Sequence, residues 1–334
     1  MQQRGRHTQA KAEMSSVKGA EHQLRSGLGK VDLRGLEPGG PGWEAARAAV
    51  AASMEAVGTV VVTHDALGAD LRQALFGRAM PEFFALPLDA KRSLVSGPVN
   101  GYIGPRPGAP AYESVRIWEA AHGAGAGARN LGDALWPHGN PAFWNMLDLK
   151  RKVGRMILES LGVPAECVES HLDSLAYNVR LAHYGPLPDT ATTTTGLSMQ
   201  PHRDCTMLTM VIQHGVEGLE VQVEDGSWIA VPPEPDTVTV VAGELLTVVA
   251  NGRVPAGIHR VRTPGDRERM SVLFVSTPKE GATVRPLDEL VDDNHPLMYG
   301  DCSFSEYVDF RFAGDGRKLS DPLKAFCGAL KDKQ

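Results

Sequence analysis

From Thr206 to Val275 the chain is a succession of short apolar runs, each closed by Gly, Pro, Asp or Asn. Thr206–Gln213, Leu219–Val223, Trp228–Val231, Thr237–Val241, Leu245–Val249, His259–Arg262 and Arg269–Val275 have strand length and the spacing of a jelly roll. Glu224-Asp225-Gly226 has hairpin chemistry, and no helical period interrupts the series. Amphipathic and alanine-rich stretches lie upstream. The expected fold is mainly β with flanking helices, around a double-stranded β-helix.

Two motifs within this region carry chemistry. In His202-Arg203-Asp204 the ligand-type residues are two apart, which in a strand puts both on one face. His259 comes from a separate strand. Two imidazoles and one carboxylate on one face suit a mononuclear Fe(II) whose remaining positions stay open. Arg269 and Ser271 share a face in the last strand. An arginine inside a barrel is costly without an anion, and a guanidinium beside a hydroxyl suits a carboxylate. Thr263-Pro264-Gly265-Asp266 is a strong turn signal. Read as a hairpin, it sets His259 opposite Arg269 and Ser271, so that a dicarboxylate chelating the metal would reach Arg269.

These residues resemble the plant-type 2-oxoglutarate- and Fe(II)-dependent dioxygenases, whose pattern is H-x-D, a long interval, H, a short interval and R-x-S. Here it runs His202-x-Asp204, His259 and Arg269-x-Ser271. The likeness extends through Gly218-Leu219-Glu220-Val221, Asp225-Gly226-Ser227-Trp228-Ile229, Ala242-Gly243-Glu244 and Asn251-Gly252-Arg253. Asn100-Gly101-Tyr102-Ile103-Gly104, Tyr112-Glu113-Ser114 and Leu135-Trp136-Pro137-His138-Gly139-Asn140 look like the branch that includes the glucosinolate side-chain dioxygenases.

The resemblance implies a cupin-like jelly roll that binds Fe(II) through His202, Asp204 and His259. It implies 2-oxoglutarate and O2 as cosubstrates, with ascorbate as a reductant. Arg269 and Ser271 would hold the far carboxylate, helped by Tyr184; the asparagine that relatives carry two residues before that tyrosine is Ala182 here. Tyr102, Tyr112, Trp118 and Phe274 are the candidate substrate-pocket residues. The implied reaction oxidises a small specialised metabolite or hormone, most simply by hydroxylation, with release of succinate and CO2. An oxidase of the same fold that dispenses with 2-oxoglutarate is the rival enzyme. A silent binder or a storage protein would need neither the full triad nor Arg269.

Along the chain, residues 1–29 are polar and lack apolar periodicity, as in a disordered segment. The helical N-terminal region is expected over 30–175, the jelly-roll core over 176–280 and a closing segment over 281–334. Val31-Asp32-Leu33 and Val60–Val62 read as strands; Trp43–Ala56, Asp70–Phe84 and Asn145–Leu161 read as helices. His122–Gly127 and Asp189–Gly196 read as loops. A formal charge of −6 without a Lys/Arg stripe argues against nucleic acid. No apolar run is long enough to span a bilayer, and four dispersed cysteines suit free thiols. A cytoplasmic monomer acting on a small molecule is expected.

Overall fold

The computed structural model describes residues 28–93, 101–106, 109, 111–118, 141–186, 196–264 and 266–329. The sequence-predicted loops at 122–127 and 189–195, and the segment 1–27, lie outside them. The chain begins with β1 (Gly29–Asp32), α1 (Trp43–Val57) and β2 (Thr59–Thr63). Short helices α2 (Ala69–Ala74), α3 (Met80–Phe84) and α4 (Leu88–Ser93) precede β3 (Gly101–Ile103) and β4 (Tyr112–Trp118). Helices α5 (Pro141–Ser160) and α6 (Ala165–Asp173) then lead into the main strands. These are β5 (Leu175–Tyr184), β6 (Leu197–His202), β7 (Leu208–His214), β8 (Leu219–Gln222), β9 (Trp228–Ala230) and β10 (Thr237–Ala242). After α7 (Glu244–Val249) come β11 (His259–Arg262), β12 (Arg269–Pro278), β13 (Thr283–Val284), β14 (Cys302–Ser303), α8 (Phe304–Phe312) and α9 (Pro322–Cys327).

An eight-stranded sheet runs β1-β2-β10-β7-β12-β5-β4-β3, and a four-stranded sheet runs β6-β11-β8-β9. Strand alternation decides what each side chain meets. Val60, Val240, Met210, Phe274 and Val179 form one row across the large sheet. They pack with Val50 and Met54 of α1 and Met146 and Val153 of α5. Val61 and Val211, on the other face, meet Val221, Ile229 and Val231 at the small sheet. Covered on both sides, Thr59–Thr63 is buried at every position and shows no alternation. Strands β1 to β4 belong to this sheet, so the barrel draws on residues well before the 176–280 segment.

Three sequence expectations change. Leu245–Val249 is helix α7, not a strand. All six residues of α7 are buried, Glu244 and Thr247 included, and a short run buried on every side reads the same in either conformation. The helix expected over Asp70–Phe84 is α2 and α3 joined by a π-helical stretch, Leu75–Ala79. The segment between β11 and β12 is not a hairpin: β11 pairs with β6 and β8, whereas β12 pairs with β5 and β7. The turn carries the chain from one sheet to the other, so His259 and Arg269 lie on different sheets.

Candidate active site

His259 opens β11 in direct register with His202 at the end of β6. Asp204 lies just past that strand, so its approach to the histidines is set by the following loop rather than by strand alternation. The imidazole centroids are 4.1 Å apart. His202 Nε2 lies 3.8 Å from Asp204 Oδ1, and His259 Nε2 lies 3.9 Å from Oδ2. One donor atom from each residue falls within 4.8 Å of the others, close enough for all three to ligate one ion.

The protonation states suit a metal. His202 Nδ1 is 2.8 Å from the Gln200 carbonyl, and His259 Nδ1 is 3.2 Å from that of Gly257. Carbonyls only accept, so each Nδ1 donates and each Nε2 keeps its lone pair for the site. Burial, reinforced by the neighbouring His259, brings His202 down to about 4. Burial alone would raise Asp204, but His259, His202, the Thr209 hydroxyl and Arg180 outweigh it and hold the carboxyl low.

The loop carrying Asp204 is tied to α7. Glu244 N donates to Asp204 O at 2.8 Å, and Leu245 N donates to Thr206 O at 3.1 Å. Gly243 must be glycine there, because a Cβ would stand 2.0 Å from the Thr206 carbonyl oxygen. The buried Glu244 carboxylate accepts from Tyr307 at 2.8 Å and from Cys205 at 3.2 Å.

Across the barrel, Arg269 is 1% exposed. Its Nη2 donates to Gln213 Oε1 at 2.9 Å and its Nη1 to Ser271 Oγ at 3.4 Å. The guanidinium lies 5.1 Å over the Tyr184 ring, and Tyr184 is its register partner on β5. Arg269 Nε has no hydrogen-bond partner, and no acid pairs with the group among the described residues. A buried cation with neutral neighbours and a spare donor is a seat for a carboxylate. Gly218 lets the side chain lie flat, since a Cβ there would meet Arg269 Cδ and Nε at 2.9 Å.

The four candidate pocket aromatics divide. Tyr112 pairs in register with Tyr184 and packs with Ala182, Val261 and Met199 inside the barrel. Trp118 holds the register position opposite Asn178. Tyr102 and Phe274 do not line the interior. Tyr102 pairs with Val115 on the outward face and donates to Glu113 at 2.5 Å. Phe274, an odd number of residues from Arg269, packs in the cluster under the helices. Residues overlooked in the sequence include Gln213, which orients Arg269 while donating to the Val231 carbonyl at 2.9 Å, and Arg116 and Arg180. Their signal was a long polar side chain in the middle of an apolar strand.

A jelly roll with two histidines and an aspartate at ion spacing is the scaffold of a mononuclear non-heme iron oxygenase. The model of the 2OG-Fe(II) oxygenase superfamily matches residues 175–278. A probable 2-oxoglutarate-dependent dioxygenase, AOP1.2 of Arabidopsis thaliana, is 32% identical over 303 residues, 87% of this chain and 92% of that relative. The 2-oxoglutarate-dependent dioxygenase AOP3 of the same plant is 26% identical, with 89% of this chain and 96% of the relative covered. The crystal structure of the rice dioxygenase for auxin oxidation superposes with a TM-score of 0.72 at 26% identity, covering 90% of this chain and 99% of that one. The chain belongs to the 2-oxoglutarate- and Fe(II)-dependent dioxygenases. It is an oxidoreductase with iron as its metal and 2-oxoglutarate as its cosubstrate.

Proposed function

We propose that this chain hydroxylates a small specialised metabolite or hormone-like compound, coupled to conversion of 2-oxoglutarate to succinate and CO2. The observation that carries the reading is the pairing of two sites in one barrel. His202, Asp204 and His259 offer donor atoms within 4.8 Å, and Arg269 is buried with a spare Nε donor. In this reading the triad holds the iron, while Arg269 and Ser271 hold the far carboxylate of 2-oxoglutarate, with Tyr184 beneath the guanidinium. Iron bound there supplies electrons and open coordination positions for O2 activation.

The chain's own residues do the rest. The Gln200 and Gly257 carbonyls fix both imidazoles in the tautomer that presents Nε2. Gln213 turns Arg269 toward the barrel. Apolar neighbours Val261, Met199 and Leu273 limit water near the reacting groups. The substrate class draws support from the rice relative, named for auxin oxidation. The reading carries with it a cytoplasmic monomer.

The test is anaerobic titration of the Fe(II)-loaded protein with 2-oxoglutarate, following the visible charge-transfer band. A saturable band that disappears in His202→Ala is expected. Iron binding without any band would overturn the use of 2-oxoglutarate.

A further inference from the structure

Arg116 on β4 and Arg180 on β5 stand directly opposite each other. Counting by twos from Tyr112 and Tyr184, which meet Val261 and Met199 inside the barrel, both leave their strands on the interior face. Like charges opposed on neighbouring strands destabilise a sheet. Burial, and then the charge of Arg180, bring Arg116 down to about 10. Among the described residues neither guanidinium has a hydrogen bond or an ion pair, and each Nε is shut off from solvent without an acceptor. Arg269, by contrast, has Gln213, Ser271 and Tyr184 around it.

Charge balance sharpens the contrast. Asp204 is the one described carboxylate whose charge reaches Arg116, and it is committed to the metal. Adding a divalent cation and a doubly charged cosubstrate leaves the formal charge of the interior unchanged. Both arginines therefore remain in surplus after iron and 2-oxoglutarate have bound. Position separates the two anion seats as well. Arg180 is four residues along β5 from Tyr184, the register partner of Arg269, which is about 13 Å of strand.

We propose that Arg116 and Arg180 clamp a carboxylate on the molecule to be oxidised, so that the substrate is a small organic acid. The proposal rests on the preceding reading, which gives the other anion to Arg269. A carboxylate offers one oxygen to each guanidinium, and its charge relieves the repulsion between them. Holding the acid end there aims the rest of the molecule along the interior toward His202 and Asp204, both within reach of the Arg180 charge.

The test uses the full chain loaded with Zn(II), which does not turn over, with and without saturating 2-oxoglutarate. Matched probes, phenylacetate against phenylacetamide and hexanoate against hexanamide, are titrated by ligand-observed NMR. The acids are expected to bind about tenfold or more tighter than the amides. In the Arg116→Gln/Arg180→Gln double variant the ratio should collapse to within about twofold. Melting temperature supplies a second readout. Removing one of two unpaired like charges should raise it, whereas losing a structural arginine would lower it.

Equal binding of acids and amides, no binding of the acids, a ratio that survives the double substitution, or lower melting temperatures in both single variants would each overturn the proposal. Failure of 2-oxoglutarate itself to bind is a separate result. It would remove the proposed function, and the clamp would still be judged by whether the acid preference measured in its absence is lost in the Arg116→Gln/Arg180→Gln variant while Arg269 is intact.

Discussion

The two faces of β4 and β5 treat charge in opposite ways. On the outward face Glu113 accepts from Lys91 Nζ at 2.7 Å and from Tyr102 at 2.5 Å, and lies 3.0 Å from His183 Nδ1. Lys91 also donates to the Phe84 carbonyl at 2.9 Å. On the opposite face of the same strands stand Arg116 and Arg180, joined by Arg269 of β12, without a single acid pair among the described residues. A closed network rigidifies a fold, and an open one waits for a ligand. The outward cluster joins α4, β3, β4 and β5, whereas on the inward face Arg116 and Arg180 make no hydrogen bond among the described residues and Arg269 meets only neutral acceptors, Gln213 and Ser271.

That contrast breaks most sharply at the triad. His202→Ala or Asp204→Ala is expected to lower turnover by about a thousandfold or more, measured as succinate release, with the fold intact by circular dichroism. On the outward face the pattern should invert. Lys91→Met strands a half-buried carboxylate and should cost about 3 kcal/mol of stability by denaturant unfolding, while the 2-oxoglutarate requirement of the folded fraction stays the same. Back on the inward face, Arg269→Ala should raise the 2-oxoglutarate concentration for half-maximal rate by about tenfold to a hundredfold. Gly218→Ala pushes on Arg269 without removing it, and a rise of only a few-fold is expected from the same assay.

Acid should also distinguish the faces. Burial alone would raise Glu113, but hydrogen bonds from His183, Lys91 and Tyr102 hold it at about 2. A carboxyl depressed on folding contributes stability above its unfolded value, and that contribution fades as the pH falls through the folded one. Melting temperature should therefore decline between about pH 5 and pH 2. In Glu113→Gln the decline should be shallower, and an unchanged slope would remove Glu113 as its source.

Much of the site was legible because its signals are local. His202 and Asp204 are two residues apart, and the Arg269-x-Ser271 pair needs nothing but strand alternation to converge. Turn chemistry at Thr263-Pro264 marked where the chain reverses, but turn residues do not say whether the next strand joins the same sheet or the facing one. The helical state of Glu244–Val249 left no trace, because uniform burial erases the period. Phe274 lies an odd number of residues from Arg269 and so falls on the opposite face of β12 from the candidate site. The same count applied to Val179-Arg180-Leu181 and Val115-Arg116-Ile117 would have found the inward arginines. Their lack of partners is a property of the assembled barrel, and no single strand records it.

The grip of α8 on the metal loop sets an order of events during synthesis. All three metal ligands have been made once His259 is added to the chain. The Tyr307 hydroxyl that donates to Glu244, beside Cys205 and Asp204, arrives later, in the closing segment. Until then a buried carboxylate next to the ligand loop lacks its tyrosine donor. The support of the ligand loop is therefore complete only once the segment carrying Tyr307 has been added, although every ligand is already in the chain.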